Sequence, residues 1–426
     1  MESKTNELTN GQGAQNAKFA ASAWRRLGAI AVLSISGLFY FRSQGVTPSR
    51  SVAVSTGVSI FFLLLWLVES RWTTDAPTPP KKRSNFDWGM HYVRGFAIVC
   101  ILLTHFLQYA DATQFARAFF KSSTVYFLFI SGYLCQFLAF RHPVDTRAYY
   151  LSKLKNVIAP YLVFSLATLL AISLINVKRP GVIAPSAISI KAIPSIFLLG
   201  GAQRQYWYIP FIAIVFLFSP WLTRTSNRTL TWLSIVSFAL AICFPFRPPT
   251  VPTWSVPFFL YRFVYFIWAY FFGFAYARWK EHIDPDLGAY AVPALLMGTV
   301  LGICMMSSGK VAWLPSHFLS GSFALTFQKL LFLVPILYVA NKIRTCRIAL
   351  FDMLATYSFT LFFLHYFFVK DFVVLQRAIF AHVESGSFLQ LCVRIGLGVG
   401  FVALNLILSI LLKTACGRWS RSFVGS

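Results

Sequence analysis

Two ionisable side chains, Arg94 and His105, sit where they are costly, in the apolar stretch DWGMHYVRGFAIVCILLTHFLQ from Asp87 to Gln108. A membrane-spanning helix takes about 20 mostly apolar residues, and an ionisable group inside one is expensive enough to imply a function. Eleven steps of about 100° return the chain to within about 20° of its start, so both side chains share a helix face, about 16 Å apart along the axis. A fixed guanidinium can hold an anion, and an imidazole three turns further on can move a proton near neutral pH. The spacing therefore suits anion binding at one level and general-base chemistry at another. The blander alternative is an Arg that snorkels to water and a His at the far interface.

A second histidine lies in FDMLATYSFTLFFLHYFF, where Ser358 and His365 are seven residues apart and so also share a face. If this stretch is one straight span, His365 is about 22 Å from its start, a depth comparable with His105. A hydrogen-bonded packing residue is the competing reading. Neither histidine has an acidic neighbour deep in a span: Asp111 lies six residues beyond His105 and Asp352 is near an edge.

The elements that must hold these groups follow from composition. With 57% hydrophobic, 18% aromatic and 12% charged residues and a mean hydropathy of +0.64, the chain is read as an all-α, polytopic transmembrane helical bundle. The net charge of +25 comes from 38 Lys and Arg scattered between apolar runs. That pattern excludes a basic nucleic-acid-binding domain and reads as topology signal and headgroup contact, with the lipid bilayer as the partner. Seven cysteines, without a CxxC pair or metal-like spacing, read as small buried apolar residues, and no metal site is expected.

Residues 1–24 are a polar tail, followed by an accessory transmembrane hairpin over 25–69 built from Leu27–Tyr40 and Val52–Val68. The linker 70–86 carries Pro77, Pro79, Pro80 and the cluster Lys81, Lys82, Arg83, which resist helix and mark a boundary. The core, 87–412, opens with the Arg94–His105 span and continues through Ala118–Phe140, Val157–Ile175, Tyr206–Leu222, Thr229–Phe246, Pro257–Tyr276, Ala289–Met306, Ser322–Ala340, Leu350–Val369 and Leu389–Leu412. About ten core helices plus two are thus expected, with a tail at 413–426. Lys and Arg are about twice as numerous on the amino-terminal side of these spans, which places both termini in the cytoplasm.

RGFAIVCILLTH resembles the opening signature of the acyltransferase-3 family of multipass membrane acyltransferases, in which an Arg precedes a His by this interval. YSFTLFFLH is similar to a late segment of that family, with Phe362 where a Tyr is usual. FISGY (Ser131, Gly132), WYIP (Trp207 to Pro210) and KLKNVIAPYLVF also fit, the last with Lys153 and Lys155 where arginines are common and Asn156 at a frequently basic position. The resemblance implies transfer of an acyl group, commonly acetyl, from acyl-CoA as co-substrate to a hydroxyl of a sugar, glycolipid or glycosylated natural product, with no bound cofactor. It makes His105 the candidate base, Arg94 its partner in catalysis, and Lys153 and Lys155 donor-binding cations. Ser131, Trp207, Tyr208, Ser358 and His365 would line a substrate pocket. Small-residue packing at Ser131 and Gly132 and interfacial placement of Trp207 and Tyr208 are the structural alternatives. A transporter or flippase for an anionic or sugar-containing substrate is the competing function, although the chain has no evident internal repeat.

Overall fold

The computed structural model describes residues 24–35, 86–109, 118–141, 145–175, 189, 191–243, 255–307, 322–345, 347–380 and 388–425. Within them the chain is all helix and turn, with no strand. The helices are α1 (24–35), α2 (Trp88–Tyr109), α3 (Thr124–Arg141), α4 (Thr146–Lys153), α5 (Ala159–Ile175), α6 (Ile193–Leu199), α7 (Tyr208–Leu222) and α8 (Asn227–Cys243). They continue as α9 (Val256–Ile283), α10 (Leu287–Ser307), α11 (Ser322–Lys342), α12 (Ala349–Thr356), α13 (Ser358–Phe380), α14 (Phe388–Cys416) and α15 (Ser420–Phe423). Six of the helical segments are long and apolar enough to cross a bilayer, the bent pair α12–α13 makes a seventh, and α3, α7 and α8 are shorter apolar helices. Each of the ten core stretches expected from sequence contains one of these elements. The Val52–Val68 arm of the hairpin and the 70–85 linker lie outside the described residues.

α2 is the axis of the bundle and touches α3, α11, α12, α13 and α14. Beside it α3 and α9 pack face to face at two reciprocal glycines. A Cβ on Gly132 would collide with the Tyr270 carbonyl oxygen, and one on Gly273 with that of Phe129, so only glycine lets these backbones meet. The small residue in FISGY is thus part of a helix contact. α1 rests on the other end of the chain: Ile30 packs with Ala415, Cys416 and Val424, and Arg26 Nε donates to the Thr414 carbonyl at 3.2 Å. The two ends of the described chain therefore lie together.

Two local departures from regular helix re-aim the candidate residues. Between α4 and α5 the helix widens to a π turn over Leu154–Ile158. Pro160 follows directly and has no N–H to offer the Asn156 carbonyl, which is the usual way a proline loosens the preceding turn. The second departure corrects the straight span expected over Leu350–Val369. The chain turns by 76° between α12 and α13. Tyr357 holds φ −92° and ψ 3°, outside the helical region, and Ser358 Oγ donates to the Ala355 carbonyl at 2.8 Å. Hydroxyl side chains that satisfy nearby carbonyls offer the backbone an alternative to the helix ladder, and here they do so without a proline. His365 therefore lies about 10 Å along α13 from the bend, not 22 Å along one rod. The cysteine reading also needs adjustment: Cys100 and Cys416 are buried, but Cys243, Cys304 and Cys392 are exposed on the apolar outer surface of the bundle.

Candidate active site

Polar groups collect at two levels along α2. At its start Asp87 caps the helix, Oδ1 accepting the Met90 N–H at 3.1 Å. Its Oδ2 accepts from Lys280 Nζ at 2.7 Å and from the Tyr133 hydroxyl at 2.7 Å, tying α2 to α9 and α3. Burial alone would push the Asp87 carboxyl up, but the Lys280 charge and these hydrogen bonds hold it below its ordinary value. One turn on, His91 Nε2 meets Asp352 Oδ1 at 3.0 Å, and Arg347 reaches Asp352 Oδ2 at 3.3 Å, pinning α12 to α2.

Arg94 follows on this same stretch of α2, partly buried, and its charge is felt by both Tyr208 and Lys153. Ser131 lies beside the Tyr208 hydroxyl and donates its own Oγ proton to the Phe127 carbonyl at 2.9 Å. Lys153 Nζ sits over the Phe216 ring at 4.4 Å and the Tyr149 ring at 5.1 Å. The structure thus puts Ser131 beside Tyr208, with Arg94 within electrostatic reach of Tyr208 and of Lys153. Lys155 does not join them: it lies in the π turn and is exposed.

His105 and His365 meet at the second level. Their ring centroids are 5.1 Å apart with planes 34° from parallel, and the Tyr366 ring stands edge-on to His105 at 5.5 Å. His365 is fully buried, and its Nδ1 contacts the Leu361 carbonyl at 3.1 Å. His365 Nε2 and His105 Nδ1 are buried with no hydrogen-bond partner among the described residues. Asp111, the acid nearest His105 in sequence, lies outside those residues. Ser358 reaches neither level, since its buried hydroxyl is engaged at the α12–α13 bend. Trp207 stacks on Phe266 at 5.1 Å and carries the Arg262 guanidinium 4.5 Å above its face.

Three cations near this level were given no role by sequence reasoning. Arg204 and Arg262 both contribute to the field at His105. Lys329 is fully buried and donates to the Phe119 carbonyl, while the Thr104 hydroxyl lies 2.6 Å from the Phe120 carbonyl. Arg204 belongs to a turn, GAQRQYW, whose first five residues fall between the expected spans Val157–Ile175 and Tyr206–Leu222. That turn is folded into the bundle. Gln203 and Gln205 are 0% and 3% exposed, and they bond to each other at 2.6 Å, with Gln203 also donating to Thr168 at 3.2 Å. The available signals were two amides flanking an arginine between apolar runs, and a basic residue inside each of two spans.

The arrangement can hold anions near Arg94 and Lys153 and handle protons near His105, with cations available to a developing negative charge. Among the described residues no cluster of three His, Cys, Asp or Glu could hold a metal. Two large apolar grooves, of about 690 Å³ between α2, α10 and α11 and about 530 Å³ along the π turn and α7, open on the outside and exclude both histidines.

No curated protein and no solved structure matches the chain. The model of the acyltransferase-3 family, described as an acyltransferase domain, matches residues 87–413, from the Asp87 cap of α2 to the last turn of α14. The match covers both levels of the site and most of the chain, which is therefore a multipass membrane protein belonging to the acyltransferase-3 family of acyltransferases.

Proposed function

We propose that the protein transfers an acyl group, acetyl being the first to test, from acyl-CoA to a hydroxyl of a carbohydrate, glycolipid or glycosylated natural product. The observation that carries this reading is the two-level layout of α2. Arg94, with Lys153 near it, can meet donor phosphates, and His105 stands about 16 Å further along the same helix face, where an extended donor would present its thioester.

In the reaction His105 takes the proton from the acceptor hydroxyl as its oxygen bonds to the acyl carbon. The C–S bond then breaks and the imidazolium returns the proton to the departing sulfur. Arg204 and Arg262, whose charges reach His105, would stabilise the oxyanion between these steps. CoA is cytoplasmic, so the Arg94 end is assigned to the cytoplasm together with both termini. The acceptor then approaches His105 from the opposite side.

The test is transfer of radiolabel from acetyl-CoA to candidate acceptors by membranes containing the protein or its His105→Ala variant. Labelled acceptor from the wild type alone is the expected result. Full turnover by the variant would remove His105 from the mechanism. Movement of acceptor across the membrane with no acyl transfer would favour the transporter reading.

A further inference from the structure

His105 lacks a described carboxylate to orient it, and His365 occupies the place where one would be useful. The Leu361 carbonyl can only accept, so the 3.1 Å contact requires the proton of neutral His365 to be on Nδ1. Nε2 then carries a lone pair, aimed within a fully buried ring that lies 5.1 Å from His105 and meets no donor among the described residues. His105 Nδ1 is the other buried, unpartnered nitrogen of the pair. Buried polar atoms are rarely left without a partner, and the χ2 torsion of histidine is soft enough for a small rotation to join two rings at this distance.

We propose that His365 is the positioning residue for His105, accepting the His105 Nδ1–H and so presenting the Nε2 lone pair of His105 to the acceptor hydroxyl. The relay runs in one direction: acceptor O–H to His105 Nε2, His105 Nδ1–H to His365 Nε2, His365 Nδ1–H to the Leu361 carbonyl. No net proton passes beyond His105. His365 fixes its tautomer and steadies the imidazolium, a task that a carboxylate performs in Ser-His-Asp systems. His365 and Tyr366 on α13 face His105, and the charges of Arg204 from the turn before α7 and of Arg262 on α9 also reach it. None of them is an acid. The inference rests on His105 as the base, and the experiment separates the two claims.

Three variants at one position, His365→Leu, His365→Gln and His365→Glu, are compared with the wild type and His105→Ala for kcat, donor KM and pH profile, with accumulation in the membrane as the folding control. Leucine should lower kcat about 10²-fold with donor KM within about twofold, the signature of an interaction made in the transition state. Glutamine, whose carbonyl can accept the same hydrogen bond, should recover to within about tenfold of the wild type. Glutamate should also recover activity and move the acidic limb of the kcat profile up by about one pH unit or more, because a carboxylate favours the imidazolium. A packing role for His365 predicts neither the rescue nor the displaced limb. In ¹⁵N-histidine-labelled wild type, both rings should carry their proton on Nδ1.

A leucine variant within twofold of the wild type, rescue variants no better than leucine, an unmoved limb, or an Nε2–H tautomer at His105 would each overturn the pairing. If His105→Ala is inactive while His365→Leu is normal, only the pairing fails. If His105→Ala is active, the base assignment fails with it.

Discussion

The two halves of α2 solve opposite electrostatic problems. At the Arg94 end Asp87 and Asp352 are each matched by a cation and tie the helix to α3, α9 and α12. At the His105 end Lys329, Arg204 and Arg262 accompany two imidazoles, and backbone carbonyls accept where carboxylates might. An ion pair near the aqueous edge retains some solvation and can join helices at little cost. In the interior a carbonyl or a neutral imidazole accepts hydrogen bonds without adding a negative charge that would need solvation of its own. On the proposed reading, one half thus serves attachment and donor binding and the other proton chemistry.

Exchange of function between the halves is the sharpest way to break this comparison. His105→Ala should lower kcat by about 10²- to 10⁴-fold with donor KM little changed, the range for loss of a general base. Arg94→Ala should instead raise donor KM about tenfold or more while leaving more of kcat, because a contact to remote phosphates acts before and during the transition state alike. Steady-state kinetics with acyl-CoA varied at saturating acceptor decides. The same kinetic signature in both variants would show that the two levels are one site.

Gly273→Val tests whether both halves depend on the α3–α9 contact. The added side chain meets the Phe129 backbone, so the helices must separate, and Tyr133 and Lys280 move with them. Overpacking of this kind costs about 1–3 kcal/mol, and a backbone obstacle belongs at the upper end. Lower accumulation and an earlier thermal transition in detergent are expected. Gly396→Val, at a position where a Cβ meets nothing within 4 Å, serves as the control and should be neutral.

Asp87→Asn addresses the attachment half alone. It keeps the helix cap but leaves the Lys280 ammonium, 16% exposed at its side chain, without its acid. A loss of about 1–3 kcal/mol in detergent is expected, with turnover per folded molecule unchanged. Because Asp87 titrates below its ordinary value in the folded protein, its contribution is complete above about pH 4 and disappears as pH falls through the depressed value. The wild type should therefore lose this increment only in strong acid, and the variant should show a flatter stability profile there. Equal slopes would mean that the pair contributes nothing.

What the sequence made legible follows from which forces are local. Hydropathy located the long apolar helices, because each such run must form its own backbone hydrogen bonds in lipid, but not the short helices α4 and α6. The Arg94–His105 spacing was equally readable, since α2 is continuous from Trp88 to Tyr109. The bend at Tyr357 was hidden because no proline or glycine marks it, and the straight-rod distance of His365 failed with it, although the expected match to the level of His105 holds. His105 and His365 come from α2 and α13, whose meeting depends on the packing of the whole bundle. The buried Gln203–Gln205 turn was missed for a related reason: amides look solvent-facing until the groups they satisfy are known.

The smallest expected effect separates two lysines that sequence treated as a pair. Lys153 and Lys155 precede the same proline-containing helix, and a straight helix would already set them about 200° apart. The π turn over Leu154–Ile158 intervenes, with Lys153 left over the Phe216 ring in the field of Arg94 and Lys155 exposed. On the proposed reading an ammonium near Arg94 meets a donor phosphate, and an exposed one contributes little to a contact of that kind. Lys153→Ala should therefore raise donor KM about three- to tenfold at low salt, with kcat within about twofold, and the effect should shrink as ionic strength rises. Lys155→Ala should leave both constants within about 1.5-fold, and the double variant should behave as the Lys153 single variant does, as expected for sites without shared partners. Donor KM measured for the three variants at two salt concentrations distinguishes these outcomes. An effect of Lys155→Ala as large as that of Lys153→Ala would mean that the donor reaches out past the π turn, and the anion site would then have to be redrawn around the exposed end of α4.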